Sequence, residues 1–256
     1  MAAVDGAQVD AAAEGNGVAQ PIRIRVSRKT FPAVRDREAQ TVLRDISFDV
    51  APRSFVVITG PSGCGKSTLL NIVAGLDKDY EGEIDLGPGR DSMAYIFQSP
   101  RLLPWRTIQQ NLELVLPDDD PRLAKIPAML ARVGLSEAAN AFPERVSLGM
   151  QRRAALARGF LLEPEILLMD EPFVSLDDPT AQSLRQLLIE LWNANPTTVI
   201  FVTHDRAEAV QLGTRILRLA PGKASVVQDA AVQLTASQRL DRAAVLAEQT
   251  RIFSAA

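Results

Sequence analysis

Residues 60–68 read Gly60-Pro61-Ser62-Gly63-Cys64-Gly65-Lys66-Ser67-Thr68. They satisfy G-x-x-x-x-G-K-[ST], a pattern tied to one local structure, a loop that cradles a nucleotide phosphate. Glycines let successive backbone N–H groups close around the phosphate oxygens, and the helix that follows adds the positive end of its dipole. The flanks have the required order. Ser54-Phe55-Val56-Val57-Ile58-Thr59 reads as a buried strand, and Lys66 to Ala74 as a helix with Leu69, Leu70 and Val73 on one side. In such a loop Lys66 reaches the β- and γ-phosphates and the Ser67 hydroxyl holds Mg²⁺. The glycines alone would suit any tight strand-to-helix turn. The Lys-Ser pair set directly after them argues for the phosphate loop.

At 256 residues the chain is one large domain or a core with subdomains. A hydrophobic content of 46% and a mean hydropathy of +0.02 suit a globular protein with a sizeable core. The net charge of −3 gives no electrostatic reason to expect nucleic acid, and Arg152-Arg153 is too short to form a binding stripe. The single cysteine, Cys64, lies in the phosphate loop, so no disulfide framework exists and a reducing compartment is expected. There it reads as a tolerated small residue rather than a reactive thiol. No run approaches the eighteen or so apolar residues of a membrane span. The N-terminus lacks the basic and apolar regions of a secretory signal. Any link to a membrane is therefore expected to pass through a partner.

Residues 1–20, rich in Ala, Gly and Gln with Asp5, Asp10 and Glu14, read as a disordered tail. Ile22-Arg23-Ile24-Arg25-Val26 alternates and suits an antiparallel strand with one wet face, as does Val42 to Val50. Phe55–Thr59, Ile166–Met169 and Thr198–Thr203 are nearly all apolar, the texture of central parallel strands. Met93 to Phe97 is a further strand, ending at Gln98. From Thr107 to Gly159 the pattern is mostly helical, broken by Pro117, Pro121, Pro143 and Asp118-Asp119-Asp120, and reads as an inserted helical subdomain. Asp178-Pro179 reads as an N-cap followed by proline, and Asp205 with Glu208 has capping-box spacing. After Leu219 only a short tail is expected, with a weak helix from Ser237 to Phe253.

Three further groups carry chemistry. The apolar strand Ile166-Leu167-Leu168-Met169 ends in Asp170-Glu171-Pro172. A carboxylate at that place in a phosphate-loop protein holds the magnesium shell, which suits Asp170. A second acid one residue on can polarise a water for in-line attack, which suits Glu171. The only histidine, His204, follows a buried strand at the carboxyl edge, where α/β sheets place ligands. It reads as a phosphate-facing side chain.

Together these residues resemble the ATPase subunit of an ABC transporter, over about Pro21 to Leu219. The resemblance implies an α/β P-loop NTPase core of RecA-like type with a mostly parallel sheet. To it are added an antiparallel β subdomain, a helical signature subdomain at about 99–160 and a short extension at 220–256. By the same resemblance Gln98 touches Mg²⁺ and couples ATP to membrane subunits. Val146-Ser147-Leu148-Gly149-Met150-Gln151 is similar to the family's signature, and Ser147 and Gly149 meet ATP bound to the other subunit. Ser175-Leu176-Asp177 resembles the dimer-contacting loop. Phe31 resembles the aromatic residue that stacks on adenine, though a core or loop phenylalanine fits equally. Leu148 departs from the family's glycine; its side chain is expected to point into the helical subdomain. The string Leu102-Leu103-Pro104-Trp105-Arg106-Thr107, Met150, and Pro172-Phe173-Val174-Ser175-Leu176-Asp177 are similar to the nitrate/sulfonate/taurine importer ATPases. The apolar Leu102–Trp105 loop either packs on its own subdomain or docks on a partner.

The implied protein is a peripheral ATPase on the cytoplasmic face of the membrane, using ATP and Mg²⁺. Its partners are a second ATPase subunit, membrane permease subunits and, indirectly, a periplasmic solute-binding protein, with no nucleic acid. Three other readings stay open. A soluble ABC ATPase of repair or translation would carry paired cassettes or a long coiled-coil insertion. A GTPase or small-molecule kinase would leave Ser147–Gln151 unexplained. A binding-only regulator that has lost hydrolysis has Leu148 as its sole support.

Overall fold

The computed structural model describes residues 20–33, 38–220 and 225–254. The expected N-terminal tail lies outside these, apart from Gln20. Strands β1 (Ile22–Phe31) and β2 (Gln40–Val50) pair antiparallel, with Ile24 opposite Phe48. Their alternation is the cause. Ile22, Ile24 and Val26 turn inward with Ile46, Phe48 and Val50, while Arg23 and Arg25 stay in water. A strand with no apolar run to announce it, β4 (Glu81–Asp85), completes this sheet in the order β2-β1-β4.

The main sheet has six strands. It contains β3 (Phe55–Thr59), β5 (Met93–Ile96), β6 (Ile166–Asp170), β7 (Thr198–Thr203), β8 (Arg215–Leu219) and β9 (Val226–Ala231), in the order β5-β6-β7-β3-β8-β9. All neighbours are parallel except β8 and β9. Every residue of β3, β6 and β7 is buried, because both faces are covered. Val56, Ile58, Leu168, Ile200 and Val202 face helix α1 (Lys66–Val73) and the antiparallel sheet. Phe55, Val57, Leu167, Met169 and Phe201 face the other helices. These are α2 (Ile108–Glu113), α3 (Ile126–Arg132), α4 (Leu148–Leu161), α5 (Asp178–Ala194), α6 (Arg206–Leu212) and α7 (Arg242–Phe253). Gly159 lets α4 lie close on β5, since a Cβ there would stand 2.9 Å from Ile96.

The structure corrects four local expectations. Asp177, not Asp178, caps α5, accepting from the Thr180 N–H at 3.2 Å, which places Pro179 one residue deeper in the first turn. Asp205 does cap α6, but Glu208 does not close the box. Its carboxylate is bound instead by the Thr203 hydroxyl at 2.7 Å and by Arg185 at 3.4 Å. The chain after Leu219 is not merely a tail. β9 pairs with β8, helped by the Arg215–Asp229 ion pair at 2.5 Å. The terminal helix is α7, starting at Arg242 rather than Ser237, and its cap is Asp241.

Candidate functional site

The phosphate loop leaves β3 at the carboxyl edge of the sheet and enters α1 through Gly65, whose φ of 101° is open to glycine at little cost. A Cβ at Gly65 would also stand 2.7 Å from Leu43, so the loop is seated against β2. Cys64 is buried, and that burial raises its thiol pKa, the opposite of what a reactive thiolate needs. Lys66 is buried and turned back onto its own loop. Its Nζ donates to the Gly60 carbonyl at 2.9 Å and to the Pro61 carbonyl at 3.1 Å, and stands 3.6 Å from Glu171 Oε1.

β6 lies two strands from β3, with β7 between them, so three strand ends converge beside the loop. The Ser67 hydroxyl donates to Asp170 Oδ1 at 2.9 Å. Burial raises the Asp170 pKa, Ser67 and Lys66 oppose the rise, and the neighbouring Glu171 charge adds to it. Among the described residues no three His, Cys, Asp or Glu side chains gather into a protein-only metal cage. One hydroxyl and one carboxylate beside a phosphate loop is instead the sparse oxygen set that suits Mg²⁺, which takes its other ligands from phosphate and water.

Glu171 sits just past β6 with φ of 41°, a left-handed conformation uncommon for a non-glycine residue. Its N–H donates to the Val202 carbonyl at 2.9 Å, which fixes the turn. His204, just past β7, brings Nδ1 to 2.9 Å from Glu171 Oε2. Lys66, Ser67, Asp170, Glu171 and His204 therefore form one linked group, although 138 positions separate Lys66 from His204. A cavity of about 720 Å³ opens beside this group, lined by Gly60, Pro61, Ser62 and His204 on one side and Arg218, Val227 and Phe253 on the other.

The remaining expected residues are placed elsewhere. Gln98 is exposed, and its carbonyl accepts from Arg152. Ser147 caps α4, accepting from the Met150 N–H at 3.2 Å. Gly149 packs α4 on α5, since a Cβ there would meet the Thr180 side chain at 2.8 Å. Leu148 is 39% exposed at the first position of α4 and does not point into the helical subdomain as expected. The helix sets that direction: Val146 and Met150 pack on the core, while Leu148 falls on the outer side. Phe31 ends β1 and is 43% exposed, which excludes a core phenylalanine; Lys29 Nζ stands 4.8 Å from its ring centre.

Two residues to which the sequence reading assigned no structural role organise the neighbouring loops. Asn111, fully buried in α2, accepts from the Leu103 N–H at 2.7 Å and donates to the carbonyls of Leu103, Arg106 and Thr107. It fixes the loop on which Trp105 stands 68% exposed. Arg152, buried in α4, reaches the loops after β5 and β6. An asparagine or a second arginine inside a helical pattern carries no mark that separates it from solvent-facing polar residues.

The pattern of the ABC transporter family matches residues 43–174. The "Aliphatic sulfonates import ATP-binding protein SsuB" of Bacillus subtilis (strain 168) is 42% identical over 211 residues, 79% of this chain and 82% of that protein. SsuB 2 of Burkholderia cenocepacia (strain HI2424) is 40% identical over 248 residues, 93% of this chain and 88% of that protein. Among solved structures, the dimeric post-hydrolysis state of the ATP-binding cassette MJ0796 bound to ADP and Pi is similar at 30% identity with a TM-score of 0.71. That match covers 84% of this chain and all of the cassette.

Proposed function

The chain belongs to the ABC transporter family, and from that premise we propose that it is the ATP-hydrolysing subunit of an importer for a small oxyanion. The observation that carries the reading is the linked group Ser67–Asp170 and Lys66–Glu171–His204 at one edge of the sheet. Lys66 is the counter-charge for the β- and γ-phosphates. Glu171 is the general base, taking a proton from the attacking water. His204 holds the Glu171 carboxylate through Oε2 and faces the γ-phosphate. Ser67, Asp170 and Gln98 would hold Mg²⁺, which when bound neutralises charge on the phosphates. Lys66 is held by two loop carbonyls and lies near Glu171. A phosphate bound in the loop would be a stronger, charge-assisted acceptor for Lys66 than either carbonyl.

The dimeric state of the MJ0796 cassette supports a dimer here. Two copies would hold each ATP between one phosphate loop and the partner's Ser147 and Gly149, with Ser175-Leu176-Asp177 at the contact. Relatives named for aliphatic sulfonate import favour an alkyl sulfonate, with nitrate and taurine as the neighbouring choices. Among the described residues no helix is long and apolar enough to cross a membrane. In the importer we propose, a separate permease fed by a periplasmic binding protein completes the assembly, with this subunit peripheral on the cytoplasmic face. Phe31, exposed at the end of β1, is the candidate adenine platform.

The purified chain should hydrolyse Mg-ATP. Glu171→Gln should bind ATP within about twofold of wild type, lose roughly a hundredfold or more in kcat, and sediment as an ATP-dependent dimer. Wild-type turnover in that variant, or monomer alone with ATP, would overturn the assignment.

A further inference from the structure

Two arginines of α4 have no part in this scheme and no acidic partner among the described residues. Arg152 is 6% exposed. Its Nη1 donates to the Gln98 carbonyl and its Nη2 to the Val174 carbonyl at 3.4 Å, while Nε finds no partner. Six positions on, Arg158 donates to the carbonyls of Pro100 at 2.9 Å and Arg101 at 3.0 Å. Burial lowers the pKa of both guanidinium groups. A cation buried without a carboxylate is costly. Packing alone therefore does not call for arginine at 152.

The acceptors suggest what does. Gln98 to Arg101 is the loop leaving β5, and Val174 lies three residues past Glu171 on the loop leaving β6. Both loops are gripped by their main chain, so Arg152 leaves the side chains of Gln98 and Glu171 untouched. Among the described residues Arg152 is the one side chain that hydrogen-bonds to both loops, and it sits five positions after Ser147 on the same helix.

We infer that Arg152, supported by Arg158, is a positioning residue for hydrolysis, locking the Gln98 loop to the Glu171 loop so that both follow α4 as one piece. The inference rests on the reading of the chain as an ATPase. It gives the outer end of α4, where Leu148 is exposed, a mechanical path to the base and the coupling glutamine of its own subunit.

Arg152→Met keeps the apolar stem and removes the donors. In the full-length chain it should lower kcat about tenfold, with the Kd for a non-hydrolysable ATP analogue within about twofold. Amide hydrogen exchange in the nucleotide-free protein should quicken about tenfold at residues 98–101 and 172–176, with α3 unchanged. Arg152→Lys should fall between. In a Gln98→Ala background the kcat loss from Arg152→Met should shrink, because part of what it positions is gone. A folded Arg152→Met with kcat within about twofold of wild type, or with exchange raised evenly across the chain, would overturn the proposal. If Arg152→Met does not fold, Arg158→Met decides. It should quicken exchange at 98–101 and spare 172–176, and equal effects at both would overturn the lock. Absence of turnover in the wild type would overturn the ATPase reading instead, and the exchange pattern would still judge the lock.

Discussion

Asp170 shows how one residue trades stability for function. Its carboxyl pKa is raised chiefly by burial, while the Ser67 hydroxyl works the other way. A raised carboxyl favours the folded state when protonated. Its contribution is fully present below the unfolded value near 3.9 and is lost as pH rises through the higher folded value. At neutral pH Asp170 therefore carries a buried charge that costs stability. Asp170→Asn should melt a few degrees above wild type at pH 7 without nucleotide, and the gap should close as the pH is lowered through the raised pKa. The same variant should gain little melting temperature from Mg-ATP, which stabilises the wild type by mass action. Thermal melts across pH check both, and a lower melting point at pH 7 would show that the Ser67 bond outweighs burial. The left-handed Glu171 next in line has a related character, since backbone strain is tolerated where it aims a side chain at His204.

At the scale of the element, α4 begins at Leu148, where the resemblance led to the expectation of glycine. Leu148 stands exposed at the first turn beside the capping Ser147, so removing it gives up little burial. Leu148→Gly should change stability by no more than about 1 kcal/mol, the helix-propensity cost of glycine. If the side chain meets the partner's nucleotide, the same change should raise ATP-driven dimerisation and hydrolysis several-fold. Unchanged turnover would show that the leucine clears the phosphate. Elements that declare themselves by burial were legible in the sequence. The apolar runs of β3, β6 and β7 and the alternation of β1 and β2 are direct imprints of two-sided and one-sided cover. The group joining Lys66, Ser67, Asp170, Glu171 and His204 was legible as phosphate-loop and strand-end residues, although only the sheet order brings them within bonding distance. β4 and β9 left no such imprint. β4 reads Glu-Gly-Glu-Ile-Asp, and β9 reads Val-Val-Gln-Asp-Ala-Ala, in which Gln228 bonds the Ile252 carbonyl and Asp229 pairs with Arg215. The cap of α5 was misread by one position because Asp177 and Asp178 are both good caps, and only geometry chooses between them.

On the scale of the whole molecule, the Leu102–Trp105 loop is a rigid apolar projection. Asn111 ties its backbone from within, Leu102 packs on the core, and Trp105 is left outside. Trp105→Ala should change stability by about 0.5 kcal/mol or less, in contrast to the 3–5 kcal/mol of an emptied core aromatic site. It should leave basal hydrolysis intact while reducing co-purification with the permease. A loss on the core scale, or undiminished capture of the permease, would remove the docking role. The sheet order has a consequence for synthesis. β3, which carries the phosphate loop, lies between β7 and β8, and both come from the last quarter of the chain. A nascent chain exposes β3 with two open edges while the whole helical insert is translated, and the nucleotide cradle gains both its walls only after Leu219 has left the ribosome. A subunit unfinished at Thr198 therefore lacks His204 and both strands that flank β3, so the fold is assembled before it can spend a nucleotide.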